Sequence, residues 1–267
     1  MKKILYEQLV PQELICEKKE KAIIYLPIGP LEWHGPHLGM GVDPINAYGV
    51  SKLAALQTGG VVLPPVYMGV EKQRSPECLK RLGFLGTEQI IGMDFPKNAL
   101  KSLYWPEALF ESVIAQYIEM LIQAEYRLIV LVNGHGADNQ FEVLDRLSEK
   151  YTALTNATVL NLFTLPDNCG VKIGHAGLAE TAITCYLSPD GVELERLPAK
   201  PTKLKNTDYA IVDNETFVIG PNEDFTVRHD PRDASAELGE KVVRKTAEIV
   251  AEQVTEVWNR INSGREN

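Results

Sequence analysis

Five histidines occur in the 267 residues, and four of them stand in three glycine-bearing turns. The first turn is Glu32-Trp33-His34-Gly35-Pro36-His37, with Asp43 following nine residues after His34. The second is Asn133-Gly134-His135-Gly136-Ala137-Asp138, and the third is His175-Ala176-Gly177-Leu178-Ala179-Glu180. Carboxylates with neutral imidazoles and no cysteine suit Zn²⁺, Mn²⁺ or Fe²⁺ in a hydrolytic site. Glu-x-His in an extended loop can direct both side chains to one centre or to two adjacent ones. Taken singly, each residue has a plainer role. Asp43 would cap a helix, Glu180 would be a first-turn acid, and His37 would bond backbone in a proline turn. His229, between Arg228 and Asp230, reads as a loop or cap residue. The joint placement, an acid near every histidine-bearing turn, points to a metal.

The elements that must hold these turns follow from hydrophobic periodicity. Residues 22–28 are an apolar run closed by Gly-Pro, a buried-strand pattern. Residues 43–57 read as a helix opened by Asp43 and Pro44, and 60–64 as a second strand. Residues 65–104 are irregular; loops that long in a compact fold are usually functional or oligomer-forming. A helix starts at Pro106, with an apolar stripe of Leu109, Phe110, Val113, Ile114, Tyr117, Ile118, Leu121 and Ile122. Residues 127–132 read as strand, 139–150 as helix, 157–163 as strand and 177–187 as helix. An acidic, proline-containing stretch runs to about 216, and a long amphipathic helix from Asp233 to Arg260 closes the chain. Alternating elements with fully apolar strands predict a parallel sheet covered on both faces. Ligands of such sheets bind beyond the carboxyl ends of the strands, where Glu32, His34 and His135 are released.

Composition narrows the function classes. Hydrophobic residues make up 45% and charged residues 24%, an ordinary globular balance that needs no disulfide or metal to fold. The formal charge of −9 disfavours nucleic acid or an anionic membrane as partner. The cysteines at 16, 78, 169 and 185 form no CxxC pair, which fits reduced thiols in the cytoplasm. No signal peptide is read at the start, and no apolar run approaches the roughly 18 residues a membrane span needs. GxGxxG and GxxxxGK[ST] are absent, so no dinucleotide or P-loop nucleotide is expected. Ser75, Cys78 and Cys169 lie in loops without the G-x-S-x-G context of an activated nucleophile.

EWHGPHLGMGVD, VNGHGADN and HAGLAET, in that order, resemble the three signatures of the creatininase family. The likeness extends to the LPIG run before the first motif and to DPRDASAELGEK at the start of the last helix. It implies one domain over residues 1–267 with a three-layer α/β/α sandwich and a mainly parallel central sheet. It also implies a dinuclear site with two divalent ions, Zn²⁺ or Mn²⁺, with Fe²⁺ as the alternative. Glu32 and His135 would bind one ion, His34 the other, and Asp43 both; His175 would donate the proton. Ala137 stands where the family's name-giving enzyme has a second-metal glutamate. Glu180 is the expected replacement, with Asp138, in place of the usual Asn, behind it.

The tryptophans that flank creatinine in that enzyme are missing from residues 166–174. Trp33, where Gln is usual, and His37 are the expected substrate contacts. Trp105 reads as a helix-start staple and Trp258 as core. The expected activity is hydrolysis of a cyclic amide or related C–N bond by water activated between two metals. Relatives imply two alternatives on this fold, a formamide or a C–C bond of a cyclic polyol ketone. A non-catalytic metal-binding or peptide-maturation partner is the alternative from another class. A small-molecule substrate and a homo-oligomer, by resemblance a hexamer, complete the expectation.

Overall fold

The computed structural model describes residues 3–81, 84–96, 98, 100–166, 168–171, 174–202, 204–206, 211–212 and 230–263. His229 lies outside them. Four parallel strands form the central sheet: β1 (Ile23–Ile28), β2 (Val61–Val62), β3 (Leu128–Asn133) and β4 (Thr158–Phe163), in the order β2-β1-β3-β4. Alternate side chains of each strand serve opposite faces. Ile23, Tyr25, Leu128, Val130 and Val132 join a core with α2 (Val42–Thr58), α6 (Leu178–Leu187) and α7 (Ala236–Ser263). Ile24, Leu26, Ile28, Ile129 and Leu131 join another with α4 (Glu107–Gln123) and α5 (Asp138–Leu154). The result is helix, sheet and helix in three layers, as expected.

Packing selects among the residues that periodicity nominated. On α4 the buried row is Phe110, Ile114, Ile118 and Leu121, while Leu109 of the expected stripe stays 45% exposed. Each fully buried aliphatic or aromatic side chain stabilises the fold by about 1.5–3 kcal/mol. The row on α7 runs Val242, Val243, Thr246, Ala247, Val250, Ala251, Val254 and Trp258. Near its start, Gly239 faces α6 so closely that a Cβ would meet the Ala182 carbonyl oxygen at 1.9 Å.

Two helices escaped the sequence reading. Helix α1 (Pro11–Glu20) has proline at its first turn, and Glu13 accepts a bond from the Val10 N–H at 3.0 Å. It buries no residue, so it has no apolar stripe to detect. Short α3 (Pro76–Arg81) interrupts the 65–104 stretch. A small antiparallel pair, β5 (Lys205–Asn206) with β6 (Ile211–Val212), lies in the acidic, proline-containing stretch. Among the described residues, no helix is long and apolar enough to cross a membrane.

Candidate metal centre and active site

The sheet order places the chain's reversal between β1 and β3. After β1 the chain crosses to β2 on one side; β3 then pairs with β1 on the other. The two strands end level, with Ile28 beside Asn133. Their carboxyl ends therefore open one crevice at the switch point, where ligands of such sheets bind. Two glycines let a third element enter it. A Cβ on Gly29 would lie 2.7 Å from Asp43 Cβ, and one on Gly134 would lie 2.1 Å from the Asp43 carbonyl oxygen. The first turn of α2 wedges between the strand ends and carries Asp43 into the crevice. Asn133 secures the β3 turn: its Oδ1 accepts from the His135 N–H at 3.0 Å and from Gln140 Nε2 at 2.8 Å.

Around Asp43 the side chains fall into two groups. Glu32, Asp43 and His135 form one, and His34, Asp43 and Glu180 the other, each compact enough to hold an ion. Asp43 faces both: Oδ2 is 3.0 Å from His135 Nδ1, and Oδ1 is 3.2 Å from His34 Nε2. Glu32 Oε2 is 3.2 Å from His135 Nδ1, and Glu180 Oε2 is 3.7 Å from His34 Nε2. All five residues are buried. His34 Nδ1 lies 3.0 Å from the Glu32 carbonyl oxygen, to which it donates. Nε2 then faces three carboxylates and has no hydrogen-bond partner. Fixing a ligand imidazole through its other nitrogen is the usual support of a metal-binding histidine.

Three buried carboxylates within so small a space need positive charge. Burial would raise the Glu32 carboxyl, but the charge of His135, with that of His34 beside it, holds it well below the usual range. Burial would lower His34, yet Asp43 and Glu180 push it up to about 10. His135 is likewise raised against its burial, by Glu32 and Asp43. Glu180 is pushed up to about 7 by burial, with His34 opposing. The imidazoles thus hold protons in the places where divalent ions would neutralise the acids. Donors of oxygen and nitrogen only, with a histidine nitrogen left unpartnered, fit Zn²⁺, Mn²⁺ or Fe²⁺.

His175 stacks on His34 with ring centroids 4.2 Å apart. Its Nε2 donates to the Trp33 carbonyl at 2.7 Å, and its Nδ1 lies 3.7 Å from Glu32 Oε2. Burial and the charge of His34 lower its pKa to about 4, so this imidazole is neutral. Its neighbour Ala176 has φ +53°, a left-handed conformation uncommon for a residue with a side chain. That turn aims the Ala176 N–H at Glu180 Oε2, 2.5 Å away. Asp138, in contrast, pairs with Lys72 at 3.0 Å, and its side chain is 76% exposed.

The crevice widens into a cavity of about 580 Å³, with Glu32, Asp43, His135, His175 and Glu180 on its wall. Glu71, Lys72 and Arg74 from the 65–104 stretch also line it, as do Phe163 and Leu165. Trp33 and His37 are not among its lining residues. Trp33 packs with Leu79, Ile90, Met93 and Phe95. His37 is buried against Thr181, with Nε2 3.0 Å from Oγ1. Sequence reasoning missed Glu71 and Tyr104. Tyr104 donates a short hydrogen bond to Glu32 Oε1, and burial, then Glu32, push its pKa up. Burial also raises Glu71. Neither sits in a motif or a periodic segment.

The family model for creatininase, described as creatinine amidohydrolase, matches residues 8–254. The chain belongs to the creatininase family. A creatinine amidohydrolase of Pseudomonas putida is 26% identical over 67% of this chain and 69% of its own length. The mycofactocin precursor peptide peptidase of Mycolicibacterium smegmatis is 25% identical over 87% of this chain and 84% of its own. A manganese form of creatininase superposes with a TM-score of 0.68, at 23% identity, over 96% of this chain and 99% of that one. A zinc–zinc form of a creatininase variant gives 0.67 at 24%, over 97% and 99%. These superpositions show that this creatininase-family chain shares the fold.

Proposed function

We propose that this chain is a metal-dependent hydrolase that opens a cyclic amide or a related C–N bond of a small molecule. The observation that carries the reading is Asp43, whose two oxygens face two separate His/carboxylate groups. In this reading Glu32, Asp43 and His135 would hold one divalent ion, and His34, Asp43 and Glu180 would hold the other. Solved creatininase structures with manganese and with two zincs support the pairing. Bound there, two divalent ions polarise a carbonyl oxygen and lower the pKa of water toward neutrality. The remaining work falls to the chain's own residues. Trp33's carbonyl fixes the His175 tautomer by accepting Nε2–H, so Nδ1 is the free base facing the cavity. His175 Nδ1 accepts the proton that water loses on adding to the carbonyl carbon. It then returns that proton to the nitrogen that leaves as the C–N bond breaks.

A second reading, an amide bond within a peptide, is favoured by the match to a peptide peptidase over most of this chain. Among the described residues no tryptophan lines the cavity to hold a flat ring, and Lys72 and Arg74 add charge to its wall. The test is elemental analysis of protein purified without chelators, then turnover assays on cyclic amides, formamides and short peptides. Two ions per chain and chelator-sensitive amide hydrolysis are expected. Full activity in excess chelator after prolonged dialysis overturns the metal reading. Turnover confined to peptides transfers the proposal to the second.

A further inference from the structure

We propose that Tyr104 is a positioning residue that occupies one oxygen of Glu32, so that only the other is presented to the metal centre. The inference rests on the reading of Glu32 as a ligand and extends it to a residue outside the three motifs. Glu32 Oε2 faces inward, 3.2 Å from His135 Nδ1, 3.7 Å from His175 Nδ1 and 3.8 Å from His34 Nε2. Oε1 faces outward and accepts the Tyr104 hydroxyl proton.

A phenol has one proton to give, and the surroundings decide where it goes. The Met93 N–H donates to Tyr104 Oη at 3.1 Å, filling its acceptor side. The proton is left for Glu32. Gly92 makes the approach possible: a Cβ there would stand 2.5 Å from Tyr104 Oη. The backbone on either side of Tyr104 is tied down. Leu103 N–H donates to the Leu31 carbonyl at 2.8 Å, one residue before Glu32, and Trp105 N–H donates to Gly69 at 2.9 Å. Ser102 Oγ accepts from the Trp33 N–H at 3.1 Å, one residue after Glu32. Leu103 through its backbone and Ser102 through its hydroxyl therefore brace 31–33, and Tyr104 adds the contact that sets the carboxylate's rotation. Without the hydroxyl, buried Oε1 has no donor, and Glu32 is free to turn both oxygens toward an ion.

Tyr104→Phe keeps the ring and removes the bond. Metal affinity is measured on the full chain by competition of Mn²⁺ with a fluorescent chelator. X-ray absorption of the Mn²⁺-loaded protein reports the coordination number. The expected result is a loss of about 10–100-fold at one of the two ions, the other keeping its affinity. Tyr25→Phe serves as the comparison, since Tyr25 is also buried and hydrogen-bonded, to Thr58 Oγ1 at 2.5 Å, away from the centre. Wild-type affinity in Tyr104→Phe, or an equal loss in Tyr25→Phe, overturns the inference while the metal reading stands. A wild-type chain that binds no ion overturns the metal reading itself. A crystal structure of the metal-loaded wild type is decisive without any variant. Oε2 on the ion with Oε1 on Tyr104 supports the inference, and both oxygens on the ion refute it.

Discussion

Replacing Gly134 by alanine tests whether close backbone approach, rather than ligand identity alone, builds the centre. The added methyl would stand 2.1 Å from the Asp43 carbonyl oxygen and 2.7 Å from its carbonyl carbon, where ordinary contact begins near 3.4 Å. About 1.3 Å of separation must open between the β3 turn and the first turn of α2. Neither side is a flexible side chain; both are backbone. Overpacking of this kind costs about 1–3 kcal/mol, a fall of several degrees in Tm for a chain of this size. The effect on metal is larger, because ligand distances tolerate only about 0.2 Å and Asp43 serves both groups. Asp43 Oδ2 and His135 Nδ1, now 3.0 Å apart, would separate. Both ions should be weakened, by tenfold or more. Gly136→Ala is the control on the other side of His135, since its methyl would meet only Phe163 Cζ, at 3.9 Å. Thermal melts with and without metal, and elemental analysis after dialysis, read both effects. A Gly134→Ala chain that keeps two ions and the wild-type Tm would refute the reasoning.

Other outcomes follow from the same geometry. Asp43→Ala should empty both centres, whereas Glu32→Ala and His135→Ala should each spare the other ion. If Asp43 were only a helix cap, its loss would cost about 0.5–2 kcal/mol with metal retained. Glu180→Gln should lower the stoichiometry from about two ions toward one. Asp138→Asn, which removes only the exposed pairing with Lys72, should keep both ions; the reverse pattern would reassign the ligand. Tyr67, Leu85, Ile91, Leu100, Leu103 and Trp105 are all exposed on the 65–105 stretch. Apolar residues so placed mark a protein contact, so sedimentation should show a homo-oligomer, with a hexamer expected. A monomer at micromolar concentration would contradict it.

The three turns were legible because each follows a strand or opens a helix, and those elements carry strong periodicity. Register then brings them together, since β1 and β3 end level. The reach of Glu180 was also legible: just over one helical turn separates it from His175, and the structure puts it 3.7 Å from His34 Nε2. The side of the loop on which Trp33 lies was not foreseen, although alternation holds the reason. In an extended Glu-x-His segment the middle side chain points away from its neighbours. Trp33 accordingly packs outward and serves the centre through its carbonyl. Tyr104 and Glu71 were not legible, because they reach the site from a stretch with no period and no motif. Their placement depends on long-range bonds such as Gln140 Oε1 accepting the Val70 N–H at 3.0 Å. Helix α1 was hidden for the opposite reason, having no buried face to imprint a pattern.

The contact between Gly239 and the Ala182 carbonyl bears on the order in which the chain can complete its centre. Glu32, His34, Asp43 and His135 all leave the ribosome before Glu180, so the group containing His135 is whole in sequence while the group containing His34 still lacks a member. Glu180 rides on α6, which packs against α2 and α7. Until α7 is made, the Ala182 backbone has no partner to seat against, and α6 lacks the surface that fixes its depth. A helix made after Glu180 thus sets the position of a side chain more than fifty residues earlier. In the folded chain, the depth of α6, and with it the place of Glu180 beside His34, depends on the seat that α7 provides.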